Sequence, residues 1–554
     1  MTDFDVIVVG AGMGGLTAAA FLSAAGRRVL LLEQYSVLGG ASHVFRRRNK
    51  WEFEVGVHYI GDCGPGGQVP RLLRGLAVDD RISFLPLDRD GFDTLCFPGG
   101  TFRVPFGWER YLNALIAAFP HEERALRRCV GVLAALGGAL DRSESMARPA
   151  SLLRALLRAG LDARWALRPF AALLDSVGVS REARAVLTAQ WLAYLSPPAH
   201  VPVAAHAGYL QNYVGRGAYY PQGGGQVLAA RLAEVIRSHG GRIRTGAQVA
   251  KILVEHGAVR GVRLSDGEVL PARAVISGAD LKRTLLGMVG AEHLPRSLTR
   301  RVGGARMSAP FLNVYLGLDI DLSARMPKTN LIAIPSWDDP DQLAREHLQS
   351  ATAHTRSHWL QSARARLGAF IHCSNVKDPL CPRYAPPGHS ALEVMAAVPS
   401  DRSFWGACGS GAYADSANYQ ALKAELIEIM IERAEQALPG VRQHVVLREA
   451  STPLTHERFT LSSEGTAYGI ELNTAQLIGP PRLRARTPIR GLWIAGASAA
   501  WGPGIEGAML SGMHAASAVL QRDLPRELAA GAVIADRRAL PRDAPDWDPL
   551  RVSR

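Results

Sequence analysis

Residues 5–34 read DVIVVGAGMGGLTAAAFLSAAGRRVLLLEQ, a stretch that predicts a strand, a tight glycine turn, a helix and a second strand. Val6–Val9 are β-branched and uncharged, as in a parallel strand that is buried on both faces. Residues 16–25 are small and apolar, Gly26 is a typical helix stop, and residues 28–32 form the next strand. This order of elements is that of the βαβ unit of a dinucleotide-binding domain.

The glycines of this stretch have the spacing G-x-G-x-x-G, each with its own physical reason. The first allows the tight turn, the second lets a pyrophosphate approach the backbone, and the third lets the helix pack against the strand. The free N–H groups of the helix N-terminus then face the phosphates. An acid follows about 20 residues later, where a carboxylate holds a ribose hydroxyl. The predicted dinucleotide contacts are Gly10, Gly12, Met13, Gly14, Gly15 and Glu33.

A signal peptide or a membrane span is the alternative, because residues 6–25 carry no charge. Asp3 and Asp5 stand where a signal peptide needs basic residues. The glycines of the stretch would also weaken a lone membrane helix. The sequence therefore favours a nucleotide site.

Length and composition predict a globular protein of more than one simple domain. The chain has 554 residues, of which 47% are hydrophobic and 20% charged, with a net charge of +13. Such an excess of positive charge suits nucleic acid or an anionic membrane surface, and no nucleic-acid-binding motif accompanies it. The six cysteines include no C-x-x-C pair, which predicts reduced thiols and a cytoplasmic protein, with no metal site.

The next stretch carries a family resemblance. Gly39 and Gly40 follow Glu33 with the spacing E-x5-GG, and residues 54–61 read EVGVHYIG. These motifs resemble those of the flavin-dependent phytoene desaturase, carotenoid isomerase and retinol saturase family. The resemblance implies FAD as the cofactor and an α/β fold, in which a discontinuous Rossmann-type domain is joined to an α+β substrate domain with a mixed sheet and a helical lid.

The resemblance also assigns residues to the flavin. It places Gly39, Gly40, Ala41 and Ser42 beside the ribityl chain and residues 56–59 near the isoalloxazine ring. It places the backbone of Val249 beside the adenine. Flavin amine oxidases carry an arginine directly after the paired glycines, so alanine at this position argues against the amine oxidase branch.

The C-terminal stretch GLWIAGASAAWGPGIEGAMLSGMHAASAVL, residues 491–520, resembles the second FAD segment of the same family. It predicts a buried strand, a turn that contains Gly496, and a helix that begins near Gly507. The N-terminus of that helix would face the flavin pyrimidine ring and stabilise the reduced anion. Gly504, Ile505 and Gly507 are expected to supply N–H groups close to that edge.

The resemblance implies redox chemistry on a carbon–carbon double bond of a long apolar isoprenoid, by saturation, desaturation or isomerisation. His58, Tyr59, Trp501 and Glu506 are the side chains expected nearest the flavin. His58 or Tyr59 donates a proton to the substrate in one interpretation and only packs against the cofactor in the other. Because a dedicated NAD(P) domain is missing, a quinone, oxygen or a diffusible reductant is the expected redox partner.

Two other function classes stay open at this point. One is a flavin oxidase of an amine or another small substrate, and the other is a non-catalytic lipid-binding escort. Residues 151–178 alternate leucine clusters with arginines, which is typical of a peripheral membrane helix and also of a core-facing lid helix.

The predicted domain limits follow from the positions of these motifs. Residues 1–105, 216–285 and 486–522 are assigned to the FAD domain, and residues 106–215 and 286–485 to the substrate domain. Residues 523–554 are rich in Pro, Arg and Asp and predict a surface or disordered tail.

Overall fold

The computed structural model describes residues 4–141, 154–155, 157–349, 351–406 and 413–554. The first of its two main sheets has five strands, all parallel. In spatial order these strands are Arg242–Arg244, Val29–Leu32, Val6–Val9, Val275–Ser277 and Leu492–Ile494. Three distant parts of the chain therefore build one sheet, as the discontinuous Rossmann-type prediction requires.

The strand order reverses beside Val6–Val9, which lies between Val29–Leu32 and Val275–Ser277. In open α/β sheets, a ligand crevice forms at the carboxyl ends of the strands where the order reverses. The glycine turn that begins at Gly10 stands at this place.

The two faces of the parallel sheet are covered differently. Val6 and Val8 face the helices Met13–Ala24, Gln226–Ser238 and Gly504–Leu520. Ile7 and Val9 pack instead against an antiparallel meander. The strands of the meander are Val249–Glu255, Ala258–Leu264 and Val269–Pro271. Both faces of the nucleotide-binding strands are thus buried, which explains their uninterrupted apolar sequence.

The second main sheet has seven strands and is mixed. In spatial order they are Val445–Ser451, Phe311–Leu318, Ser390–Ala397, Ala369–Cys373, Asn330–Ala333, Asp93–Phe97 and Gly100–Val104. Only the pairing of Asn330–Ala333 with Asp93–Phe97 is parallel within this sheet. The hairpin formed by the last two strands belongs to this sheet, although the predicted limit at residue 105 assigned it to the FAD domain. Because its partner strand lies more than 230 residues later, local sequence gave no sign of this pairing.

Smaller elements connect the two sheets. The short strands are Val44–Arg47, Trp51–Glu54, Ile60–Gly61, Phe84–Pro86 and Ala218–Pro221. In the part of the chain that the structure describes, further α-helices are Gln68–Gly75, Trp108–Ala118, Glu123–Asp141, Phe170–Val177, Arg181–Thr188, Val203–Leu210, Arg296–Gly303, Pro340–Ala344, Arg356–Arg366, Ser374–Lys377, Ala417–Ala437, Pro453–Thr460, Leu524–Ala529 and Pro549–Val552. Within the described ranges, no helix is both long and apolar enough to cross a bilayer.

The helices between residues 108 and 215 cover one face of the mixed sheet and share its core. Part of the leucine–arginine stretch, residues 151–153 and 156, lies outside the described residues. The rest contains the 3-10 helix Gly160–Trp165, whose Trp165 ring is buried while Leu157 and Leu161 are 71% and 85% exposed.

The C-terminal segment is packed on the surface of the FAD domain, which is the first of the two alternatives, surface or disordered, that the sequence left open. Arg46 binds Asp548 through two hydrogen bonds of 2.7 and 2.8 Å. The guanidinium of Arg231 lies 3.8 Å from the centre of the Trp547 ring. Leu550 is 4% exposed. These contacts hold the proline-rich, charged segment against the domain surface.

Candidate active site

The first glycine turn presents its backbone to an open cavity. A Cβ added at Gly12 would meet no atom within 4 Å, whereas one added at Gly15 would lie 2.0 Å from the Gly10 carbonyl oxygen. Gly15 thus allows close packing of helix on strand, and Gly12 leaves the backbone accessible to a ligand. This division of roles is the one that a pyrophosphate-binding turn needs.

Glu33 lies at the end of the second strand and orients this turn. Its carboxylate accepts hydrogen bonds from the backbone N–H groups of Ala11, at 2.7 Å, and Tyr35, at 2.8 Å. Burial raises the pKa of Glu33, while these N–H groups oppose the shift. Glu33, Gly10 and Val249 line one cavity of about 270 Å³, as expected of a site for the ribose and the adenine.

The second glycine pair lies directly against the first turn. The Gly39 N–H donates to the Ala11 carbonyl at 2.9 Å, and a Cβ on Gly40 would lie 2.9 Å from the Gly12 Cα. The short 3-10 helix Gly40–Ser42 follows, in which the Ser42 hydroxyl donates to the Gly39 carbonyl at 2.6 Å. Two glycine segments separated by about 30 residues in the chain therefore form one continuous backbone surface.

The C-terminal glycine turn closes the same site from the other side. Its helix is Gly504–Leu520, which begins three residues before the predicted start. A Cβ on Gly512 of this helix would lie 2.2 Å from the Gly14 carbonyl oxygen, so the two glycine-rich helices are in close contact. The Trp501 ring stacks on His514, with centroids 3.9 Å apart, and Glu506 accepts a hydrogen bond from Asn212 at 2.5 Å.

A second cavity of about 470 Å³ joins these turns. Gly12 and Gly504 both line it, and it shares wall residues, including Ala41 and His58, with the 270 Å³ cavity. The two cavities therefore form one continuous site, and glycines are among the residues that line both parts. Such a site fits FAD, whose adenine and ribose would occupy the smaller cavity and whose ring system would occupy the larger one.

The predicted site residues are distributed over these walls as follows. The larger cavity is lined by Gly12, Met13, Gly14, Gly39, Ala41, Ser42, His58, Tyr59, Gly496, Trp501, Gly504, Ile505 and Glu506. The smaller one is lined by Gly10, Gly12, Glu33, Gly40, Ala41, His58 and Val249. Gly15 and Gly507 lie on neither wall. A Cβ on Gly507 would lie 2.4 Å from the Gly502 carbonyl oxygen, so this glycine packs behind the turn.

Beyond the glycine turns, the larger cavity extends between the mixed sheet and the helical layer. Its walls there are aliphatic and aromatic side chains. They include Leu140, Leu192, Tyr194, Phe311, Phe370, Met395 and Leu472. This chamber is suited to an apolar substrate that approaches a flavin.

His58 and Tyr59 lie on the wall at the junction of these regions. Burial lowers the pKa of His58 to about 3, and burial likewise raises the pKa of Glu393 well above its ordinary value. The His58 Nε2 and Glu393 Oε2 atoms are 3.1 Å apart. Burial thus favours the uncharged forms of both groups. The Tyr59 hydroxyl is 2.6 Å from the Tyr209 hydroxyl, which also faces the cavity.

Sequence reasoning did not identify the buried polar groups behind this wall. They include Asp93, Glu393 and Lys377, each at most 1% exposed. A signal was present, because Glu393 interrupts the apolar run of Ser390–Ala397 and Asp93 begins another buried strand. An acid inside a buried strand needs a partner, but the sequence does not say which one.

Comparison with known proteins agrees with this geometry. The model of the family described as flavin containing amine oxidoreductase matches residues 13–520. All-trans-retinol 13,14-reductase from Macaca fascicularis is 28% identical over 95% of this chain and 87% of its own length. Prolycopene isomerase 2 from an Oncidium hybrid cultivar is 26% identical, over 93% and 84%. These matches confirm the resemblance drawn from the motifs.

Solved structures show the same fold. An oxidoreductase from Methanosarcina mazei superposes with a TM-score of 0.62 at 19% identity, covering 93% of this chain and all of the other. Putrescine oxidase bound to putrescine gives a TM-score of 0.60 at 15% identity, covering 94% and 99%. At these identities the likeness concerns the fold alone.

Proposed function

Because the chain belongs to the family of flavin-containing amine oxidoreductases, we propose that it uses FAD in a reaction on carbon–carbon double bonds of a long apolar isoprenoid. The proposal covers saturation, desaturation and isomerisation of a carotenoid, a retinoid or a related polyene. The observation that carries it is the larger cavity, where two glycine turns lead into an apolar chamber. The relatives named for retinol reduction and prolycopene isomerisation support the same substrate class.

In this reaction the protein holds FAD and orients the polyene substrate. FAD supplies hydride exchange when it is bound, and its reactive ring would lie against Trp501, Gly504 and Ile505. The N-terminus of Gly504–Leu520 contributes positive potential on that side. The apolar chamber excludes water and aligns the polyene, which is the main contribution that a protein makes to such cofactor chemistry.

The proton that accompanies the hydride needs a donor on the cavity wall, and Tyr59 is better suited than His58. The His58 Nε2 atom is directed to Glu393, and the low pKa of His58 keeps its ring neutral. The Tyr59 hydroxyl lies 2.6 Å from the Tyr209 hydroxyl, and both residues line the larger cavity. Electrons pass to or from a quinone, oxygen or a diffusible reductant in this proposal.

Anaerobic single turnover tests the proposed reaction. Photoreduced enzyme is mixed with a carotenoid or a retinoid, and the return of the flavin absorption bands is followed while the product is analysed by mass spectrometry. Reoxidation with a product two hydrogens heavier supports saturation, and the oxidised enzyme with the same polyenes tests desaturation and isomerisation. Turnover of amines and none of polyenes would contradict the proposal.

The leucine–arginine stretch supports a peripheral membrane contact. Leu157, Leu161 and Leu167 are 71%, 85% and 52% exposed, and arginines at 154, 158, 164 and 168 are interspersed with them. The Ala166 carbonyl accepts a hydrogen bond from the N–H of Ala204, which lines the larger cavity. An apolar substrate could thus pass from a lipid surface to the chamber over a short distance.

Vesicle sedimentation tests this contact. Replacement of Leu157 and Leu161 by serine is expected to weaken binding to anionic vesicles about tenfold for each leucine, since a buried leucine contributes roughly 1.5–3 kcal/mol. Leu380→Ser is the control, because Leu380 is 84% exposed outside this stretch. Equal binding by all the variants would exclude the contact.

A further inference from the structure

A buried arginine lies beside the turn that precedes the helix Gly504–Leu520. Arg482 is 2% exposed, and it lines the larger cavity. Its Nη1 atom donates to the carbonyl oxygens of Ala499, at 3.2 Å, and Ala497, at 3.4 Å. Its Nη2 atom donates to the Ile470 carbonyl oxygen at 2.6 Å. The guanidinium group is therefore held in place by main-chain carbonyls of two separate segments.

No acid neutralises this cation in the part of the chain that the structure describes. Its three acceptors are uncharged carbonyls, and its Nε atom is buried without a hydrogen-bond partner among the described residues. Burial lowers the pKa of Arg482 to about 10, so the side chain keeps its charge at neutral pH. Buried charges in proteins are normally paired, because an unpaired charge is costly to remove from water.

The missing negative charge is expected inside the cavity. Among the described residues that line the larger cavity, Arg482 is the one lysine or arginine and Glu506 is the one acid. The Glu506 carboxylate accepts a hydrogen bond from Asn212 and makes no ion pair with Arg482 in the described chain. A negatively charged ligand in the cavity would therefore supply the partner that the protein does not.

FAD carries negative charge in two places, on its diphosphate and, after reduction, on its ring system. Reduction by two electrons with one proton, which goes to N5, leaves one negative charge that N1 and the C2 oxygen share. Arg482 lines the cavity assigned to the ring, as do Trp501 and Gly504, and it does not line the cavity assigned to the adenine and the ribose. Its position therefore favours the ring over the diphosphate.

We propose that Arg482 binds the negatively charged edge of the reduced flavin ring and so stabilises reduced FAD relative to oxidised FAD. The inference rests on the proposed function, because it concerns the FAD site on which that function depends. It adds a side-chain cation to the positive potential of the helix Gly504–Leu520. A fixed cation at this edge raises the reduction potential of the bound cofactor.

The test measures the reduction potential of FAD on the protein and uses no substrate. The holoenzyme is reduced slowly with xanthine and xanthine oxidase beside a reference dye, and the two absorption spectra give the midpoint potential. Arg482→Gln is expected to weaken binding of reduced FAD about tenfold relative to oxidised FAD, the net value of one hydrogen bond to a charged group. For a two-electron couple, this tenfold change lowers the midpoint potential by about 30 mV. Arg482→Lys keeps the charge and is expected to restore most of the difference.

Arg484→Gln is the matched control, because Arg484 is an exposed arginine two residues later. It should keep the wild-type potential. Fluorescence titration with oxidised FAD separates the charge of Arg482 from its support of the turn. If Arg482→Gln weakened the binding of oxidised and reduced FAD equally, the potential would stay unchanged. That result would overturn the inference and leave Arg482 as a support for the turn or a partner of the diphosphate.

The wild-type holoenzyme supplies a measurement that does not depend on the variants folding. The absorption of the reduced holoenzyme is followed against pH, because protonation at N1 removes the negative charge from the ring. Bound reduced FAD is expected to take up this proton at a lower pH than free reduced FAD. Uptake at the same pH or at a higher one would overturn the inference. None of these measurements involves a polyene, so a holoenzyme that transforms no polyene contradicts the proposed function alone.

Discussion

At the scale of single residues, the glycines of the first turn divide into two physical classes. Gly15 has no room for a Cβ, and Gly12 has open space in front of it. Gly15→Ala is expected to destabilise the fold by about 1–3 kcal/mol, the typical cost of overpacking. Gly12→Ala is expected to keep the free energy of unfolding and to weaken FAD binding roughly tenfold, the equivalent of about one hydrogen bond.

Chemical denaturation without added FAD and a fluorescence titration with FAD separate these two effects. Gly26→Ala is not a useful control, because Gly26 has a positive φ of 79°. Gly131→Ala is better suited, since Gly131 is exposed and an added Cβ meets nothing within 4 Å. If Gly12→Ala destabilised the fold as much as Gly15→Ala, the assignment of Gly12 to the ligand would be wrong.

His206 gives a pH-dependent prediction outside the reaction site. Its ring stacks on Phe170 at 4.1 Å, its Nδ1 lies 2.9 Å from the Tyr194 hydroxyl, and burial lowers its pKa to about 3. His206 therefore takes up a proton near pH 6.5 in the unfolded chain, but only near pH 3 in the folded chain. The stability that depends on neutral His206 is present above pH 6.5 and is lost as the pH falls towards 3.

The measurement is the free energy of unfolding as a function of pH in wild type and in His206→Asn. Because one proton is involved, the wild type should lose about 1.4 kcal/mol per pH unit more than the variant below pH 6. His358→Gln, at an exposed position, should leave the curve unchanged. Parallel curves for wild type and His206→Asn would contradict the claim that burial lowers the pKa of His206.

Residue roles were predictable where one local motif specified them. The spacing of Gly10, Gly12 and Gly15 is enough to specify the glycine turn. Glu33 follows after the length of one helix and one strand, which specifies its place at the end of the second strand. Asp93 and Lys377 were not predictable, because their partners lie hundreds of residues away or on separate strands. Asn330 meets Asp93 across 237 positions of sequence, and no local pattern encodes such a pairing.

At the scale of elements, the C-terminal segment acts as a support for the second glycine pair. Leu550 packs between Val37 and Val44, and the Ser553 carbonyl accepts a hydrogen bond from the Leu38 N–H at 2.8 Å. Leu550→Ala removes this packing at a cost of about 2–5 kcal/mol for a fully buried leucine. The expected result is faster release of FAD, because Gly39 and Gly40 directly follow the loosened residues.

FAD release is measured by the rise of free flavin fluorescence on dilution. Val533→Ala, in the same segment but with 52% of its side chain exposed, is the control and should release FAD at the wild-type rate. Unchanged release from Leu550→Ala would show that the segment does not support the glycine pair.

The regular elements were predictable where the apolar pattern was strong. The first strand was predicted at its observed bounds, Val6–Val9. The hairpin of Asp93–Phe97 and Gly100–Val104 joins its sheet through the distant strand Asn330–Ala333. The local apolar pattern predicts that a strand exists. It does not predict which strand lies beside it, because that pairing depends on residues far away in the sequence.

At the scale of the whole molecule, three segments of the chain contribute strands to one parallel sheet, and the two stretches between them build the chamber. This arrangement brings the two glycine turns to one cavity, which Gly12 and Gly504 both line, although nearly the whole chain separates them. The apolar chamber then lies between the mixed sheet and the helical layer. The discontinuous organisation was predictable from the two motifs, because a single cofactor must touch both.

Hydrogen–deuterium exchange during a titration with FAD tests this shared cofactor most directly. The account predicts that FAD protects the amides of residues 10–15 and 501–506 together, with one midpoint and one equivalent of FAD. Protection of the first turn alone, or of the two turns at different FAD concentrations, would contradict it.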